Sequence, residues 1–277
     1  MHSVKAATAA ALAVLGLSAQ AAMVTDWSYS VSTQWVTSGP GAPTFTTGGS
    51  NDFESVAPLK LSWGSNSGNV DPTLNSARSG LNILNSPQNN STGGLATNDL
   101  LNPDLVATFQ HVNNSISGSF DTLLSASVQA TLTLTPFAPS VGAPIGPSQL
   151  TFDIKFTETA NQAPCAIPET PVCSDIFVLT GGNLNKSFVY DGYTYYASFV
   201  DMQSGPLTPL SDAACLAANA PTGCLGFWTQ EGATESIDFG IIISSQPINV
   251  PEPGMLALTG LGLLAAVGAS RRRRQAA

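Results

Sequence analysis

After residue 21 the chain holds a single histidine, His111, with Asn113 two positions on. In an extended strand that spacing puts both side chains on one face. Such a pair can hydrogen-bond neighbouring backbone, with Asn114 helping to form a turn, or it can bind a ligand or take part in catalysis. One histidine in a strand with no companion ligand nearby in sequence favours the structural role. A histidine-based metal site would need carboxylates to complete it, and no His-Glu-x-x-His spacing occurs. The Gly-x-Ser-x-Gly elbow of serine hydrolases and the glycine loops that cradle phosphate are also missing from residues 22–250. Gly260-Leu261-Gly262-Leu263-Leu264-Ala265 matches a relaxed dinucleotide fingerprint, but no strand feeds it and the chain ends twelve residues later.

Carboxylates are the remaining catalytic option, because glycoside hydrolysis needs two acids about 5–9.5 Å apart. Glu158, Asp175, Glu231, Glu235 and Asp238 qualify by type, yet seventeen acids between residues 22 and 250 make some pairing inevitable. Oxygen-rich loops near Asp175 or Glu231 could hold calcium, although no EF-hand spacing supports it. The expectation is therefore a protein with no catalytic residues, no cofactor and no metal. Four cysteines, Cys165, Cys173, Cys215 and Cys224, fall in the same region and read as two disulfides of an oxidising compartment. Pairing Cys165 with Cys173 and Cys215 with Cys224 is favoured, since each pair is close in sequence and separated by turn-forming residues. Zinc is the weaker reading, with no Cys-x-x-Cys spacing present.

These residues sit among segments that alternate with period two. Trp27, Tyr29, Val31, Thr33 and Trp35 share one face; Leu59, Leu61 and Trp63 repeat the pattern. Val128 to Leu134, Leu150 to Phe156 and Ile237 to Ile241 do the same. Tyr190-Asp191-Gly192-Tyr193 places a two-residue turn between aromatic strands. Residues 64–103 are rich in Asn, Ser, Gly and Pro and read as a long surface excursion. Away from the termini only Leu210 to Ala220 looks helical. Ten or so strands and many turns predict an all-β domain, a β-sandwich or jelly roll, over residues 22–249. That stretch carries four basic residues, Lys60, Arg78, Lys155 and Lys186, against seventeen acids, so its net charge is near −13. Such a surface repels nucleic acid and anionic lipid.

The two ends decide the destination. Lys5 precedes the apolar run Ala6–Leu17, about a dozen residues and too short to span a bilayer, and Ala19-Gln20-Ala21 offers small residues for signal peptidase. Residues 1–21 are thus a predicted signal peptide for the Sec translocon. Residues 250–277 contain Pro251-Glu252-Pro253, then sixteen uncharged residues from Met255 to Ser270, then Arg271, Arg272, Arg273 and Arg274. As a helix the apolar stretch would reach roughly 24–27 Å, enough to cross a locally thinned bilayer. The arginines would hold its end in the cytoplasm and leave the domain outside.

This three-part tail resembles the PEP-CTERM sorting signal. The resemblance implies that an exosortase, a membrane-embedded cysteine transpeptidase-like enzyme, recognises and removes the tail. It also implies a Gram-negative host that makes exopolysaccharide and transient anchoring in the inner membrane. Within the domain, several stretches resemble the THxN subgroup of these proteins. They are Leu61–Gly64, Phe109–Asn114, Phe156–Asn161, Cys173–Phe177 and Cys224–Glu231. His111 and Asn113 match the motif that names the subgroup, whereas Gln110 stands where its threonine would be. The resemblance brings no established biochemical activity to carry over to this chain. The functional expectation is a non-enzymatic surface or biofilm-matrix protein among exopolysaccharides. A carbohydrate-binding module, stacking sugars on aromatics such as Tyr193, Tyr195, Tyr196 or Trp228, is the second reading, and a secreted glycosidase the third.

Overall fold

Period-two burial is what the first strand shows. In β1 (Asp26–Trp35) the residues Trp27, Tyr29, Val31, Thr33 and Trp35 are buried, and the serines between them are exposed or half-buried. The computed structural model describes residues 22–47, 53–65, 67–159, 165, 173–181, 185–202 and 208–248. The signal segment expected at 1–21 lies outside the described residues, as does the tail with Pro251, Glu252, Pro253 and the arginines at 271–274.

Strand β1 belongs to an eight-stranded sheet with β2 (Thr44–Phe45), β6 (Gln88–Ala96), β8 (Leu123–Ala138), β9 (Ile145–Thr157), β10 (Asp175–Gly181), β13 (Thr208–Pro209) and β14 (Leu225–Thr229). Its order is β13-β14-β10-β9-β8-β1-β6, with β2 paired to β8. The second sheet has seven strands: β3 (Ser55–Ala57), β4 (Lys60–Gly64), β5 (Arg78–Leu84), β7 (Asp104–Val112), β11 (Asn185–Tyr190), β12 (Tyr193–Asp201) and β15 (Thr234–Ser244). They run β11-β12-β15-β7-β5-β4-β3. The ladders of both sheets are antiparallel, and the described residues are mostly strand. The inner faces meet in one core. Trp27 of the first sheet stands edge-on to Tyr195 of the second, centroids 5.0 Å apart, and Trp35 does the same to Phe109 at 5.9 Å. The Tyr195 hydroxyl accepts a bond from the Val24 amide at 2.8 Å, which satisfies its buried polar end.

Between β11 and β12 the turn residues Asp191 and Gly192 both have positive φ, 50° and 82°, the geometry of a tight two-residue hairpin turn. The single helix among the described residues, α1 (Asp212–Ala217), starts at Ser211, whose side chain accepts from the Ala214 amide. It covers the outer face of β10, where Ile176 and Val178 pack on Leu210, Ala214 and Cys215. Disulfides join Cys165 to Cys173 and Cys215 to Cys224. The second closes a loop with sequence separation 9 around α1. Replacing Cys215 and Cys224 by alanine is expected to lower stability by about 2–3 kcal/mol in urea titrations, the chain-entropy value for so short a loop.

Residues 64–103 are not a surface excursion. They contain β5, buried at six of its seven positions and lying between β4 and β7, and the edge strand β6 beside β1. The polar residues of β5 are buried with partners: the Ser79 hydroxyl donates to the Asn114 carbonyl at 2.9 Å, and Asn82 donates to the Gln110 side chain at 3.0 Å. Gly80 is required there, because a Cβ would lie 2.5 Å from the Leu61 carbonyl oxygen.

Candidate functional site

Inward-facing positions continue past the ends of several strands, and at one end of the core they turn from apolar to polar. Along β7 the inward series is Phe109, His111, then Asn113 just after the strand. From β9 it runs Phe156 to Glu158, and from β14 it runs Phe227, Thr229 and Glu231. Strand β10 enters with Asp175 two residues before Phe177, and β4 contributes Trp63. Both sheets therefore deliver polar side chains to one buried place.

His111 is 1% exposed and Asp175 fully buried, with His111 Nε2 4.0 Å from Asp175 Oδ2. The imidazole lies between aromatic rings, edge-on to Phe156 at 5.0 Å and stacked at 6.4 Å on Trp63. Trp63 Nε1 donates to Glu158 Oε2 at 3.0 Å. The Thr159 amide donates to Asp175 Oδ1 at 2.8 Å, and the Thr159 hydroxyl donates to the Cys173 carbonyl at 2.5 Å. The Cys165–Cys173 disulfide thus sits two residues before Asp175 and anchors the entry of β10. Asn113 Nδ2 donates to the Thr229 carbonyl at 2.9 Å, tying β7 to β14 across the two sheets.

Burial controls the protonation of this group. It pushes Glu158 up to about 7, with the Glu231 charge adding to the rise and the Trp63 bond opposing it. Asp175 rises further, to about 10, through burial and then the Glu158 charge, and its carboxyl donates a hydrogen bond to Glu158. Burial alone raises Glu231 and lowers His111 to about 3, so the imidazole is neutral.

Of the five carboxylates singled out by type, the fold gathers Glu158, Asp175 and Glu231. Glu235 pairs with His111 in register but is exposed, and Asp238 accepts from the Thr108 hydroxyl at 2.5 Å on the neighbouring strand. His111 and Asn113 lie in the cluster, with different roles: Asn113 bonds backbone, while neither ring nitrogen of His111 has a hydrogen-bond partner. All five stretches that carried the THxN resemblance place a residue here. Three of them fall one strand period from an inward aromatic: His111 after Phe109, Glu158 after Phe156 and Asp175 before Phe177. That spacing was the signal available in the sequence.

The domain hands over to the tail at the edge of the second sheet. After β15 the Asn185 side chain donates to the Ile248 carbonyl at 3.1 Å, holding the last described residue beside β11. Residues 249–274 match the PEP-CTERM protein-sorting motif. The motif marks an exported protein that is sorted to the cell surface and processed by an exosortase. The PEP-CTERM match covers the tail and leaves the folded domain outside it. No curated protein matches the chain.

Proposed function

We propose that this is a non-enzymatic protein of the cell surface or extracellular matrix. It is exported through the Sec translocon, cut by signal peptidase after residue 21, held briefly in the inner membrane by residues 255–270, and released from its tail by an exosortase. The folded unit is residues 22–249, and its final surroundings are the exopolysaccharides of a Gram-negative envelope. The observation that carries this reading is the sorting motif at 249–274, directly following the β domain. Proteins with this motif are generally not enzymes. Two further features support it. The domain has a net charge near −13 on a coat of neutral polar residues, and it is stapled twice by disulfides. Its histidine and the nearest carboxyl are closed off from solvent, at 1% and 0% exposure.

Two of the four aromatics named from the sequence for sugar stacking are taken up by packing. Tyr195 is fully buried against Trp27 and Phe188, and Trp228 packs on the cluster beneath α1. A host strain unable to make exopolysaccharide tests the proposal. The mature protein is expected to appear in the medium of that strain and to stay with the matrix fraction of the parent. Equal retention in both strains would contradict a matrix role.

A further inference from the structure

The chain leaves β15 beside a group of exposed apolar side chains. Leu101 is 89% exposed, Val141 74%, Val189 67% and Leu100 51%. They stand on three connections: Leu100 and Leu101 between β6 and β7, Val141 between β8 and β9, and Val189 just before the Asp191-Gly192 turn. Hydrogen bonds gather these connections at one end of the fold. The Thr97 amide donates to the Thr25 carbonyl, and the Thr25 amide to the Ala138 carbonyl, both at 2.9 Å. Gly142 lies against the Tyr190 hydroxyl. Strand β15 comes out at the same end, where the Asn98 amide donates to the Ile243 carbonyl at 2.8 Å. Ser245 then donates to Asn98 Oδ1 from its amide at 2.8 Å and from its hydroxyl at 3.1 Å. With Asn185 holding Ile248, the path towards the tail is fixed at two points.

Little chain separates this end from the sorting motif. Pro251 comes three residues after Ile248 and lies at most about 10 Å from it; Met255 lies at most about 25 Å away. An enzyme that processes this tail therefore works against the folded domain, with no long linker to keep the two apart. Exposed apolar groups in a polar rim mark interaction sites. A lipid surface is the poorer occupant. The same connections carry Asp99 and Asp191 and no lysine or arginine, and Asp104 feels the charges of both Asp26 and Asp99. Such a field repels anionic headgroups. We infer that this end of the sandwich, with Leu100, Leu101, Val141 and Val189, is a docking face for the exosortase that processes the tail. The inference rests on the sorting reading given above. The partner surface it calls for is apolar and flanked by basic residues, at the outer side of the membrane. Contact there adds to what the motif itself binds, because the two sites are joined by so short a chain.

The test follows the full chain in a host that has the enzyme. A photocrosslinking amino acid at position 101 is expected to capture the exosortase, and one at position 74 is not. Leu74 is 71% exposed but precedes β5, whose Gly80 pairs with Val112 opposite Thr234, at the other end of β15. A combined Leu100→Ser, Leu101→Ser, Val141→Thr and Val189→Thr variant should lose its tail about fivefold more slowly in pulse-chase labelling, with Tm unchanged. The crosslink on the otherwise unaltered chain stands even if that variant does not fold. Equal capture from positions 74 and 101, or tail removal at the unaltered rate in the folded variant, would overturn the assignment. So would binding of the tail-less domain to vesicles of phosphatidylethanolamine and phosphatidylglycerol that the variant loses, which would give the patch to lipid. An unaltered chain that keeps its tail in that host would instead defeat the sorting reading itself, and the docking face with it.

Discussion

The folded domain is expected to lose stability as the pH rises from about 5 to about 9. The buried acids set the direction. Asp175 and Glu158 keep their protons up to about 10 and about 7 in the folded chain, whereas unfolded they release them near 4. Groups raised in this way contribute fully below the unfolded values, and the contribution is lost as pH climbs towards the folded ones. His111 acts in the opposite sense. Its folded value is about 3, so its stabilisation is present above pH 6.5 and is lost as pH falls towards 3. Between pH 5 and 6.5 two acids outweigh one histidine, and above that the acids act alone. A loss on the order of a few kcal/mol is expected, since each proton counts about 1.4 kcal/mol per pH unit. Asp175→Asn should flatten this curve and raise stability at pH 8, because the amide can still accept from Thr159 and donate to Glu158 without carrying a charge. Urea titrations at three pH values decide the matter, and a curve that rises with pH would contradict it.

Arg78→Ala is expected to be the most damaging substitution outside the polar cluster, at about 3–5 kcal/mol. The side chain is 1% exposed at the start of β5. Its guanidinium donates to the Ser65 carbonyl at 2.5 Å, the Phe53 carbonyl at 2.7 Å and the Ser62 hydroxyl at 2.9 Å, and it lies 5.8 Å from the Phe53 ring centroid. One residue thus fastens three segments of the second sheet. Removal takes the donor from the Phe53 and Ser65 carbonyls and from the buried Ser62 hydroxyl, and opens a cavity, a recognised source of large losses. Calorimetry should show Tm lower by roughly 6–20 °C. Arg78→Lys should recover little, because an ammonium cannot reproduce the planar fork. A loss below about 1 kcal/mol would show that the segments hold together by other means.

Strands with one wet face were legible in the sequence. β1 and β8 alternate cleanly because one side of each is core and the other solvent, and the Asp191-Gly192 hairpin needs no tertiary help. Strand β5 hid because its polar residues are matched by groups 16 to 35 positions away, which composition cannot register. Strand β6, Gln88–Ala96, is an edge built from Gln, Asn, Ser, Thr and Gly, so it reads as loop. The cluster was half legible. His111 and Asn113 stood out by type and spacing, and so did Glu158, Asp175 and Glu231, but only among many acids. Their meeting depends on the registers of β7 with β15 and of β10 with β9 and β14. Those pairings bring together residues up to 120 positions apart, His111 to Glu231, and no local pattern encodes them.

Mass spectrometry of the mature C-terminus tests the central claim, that the chain is delivered to the surface and cut at its sorting tail. In a host with an exosortase, the surface protein should yield peptides from the β domain up to the region of Pro251-Glu252-Pro253 and none spanning Met255 to Arg271. The intact tail should reappear when the exosortase is deleted. Recovery of peptides from Met255 to Arg271 in the mature surface protein of the unaltered host would contradict the account.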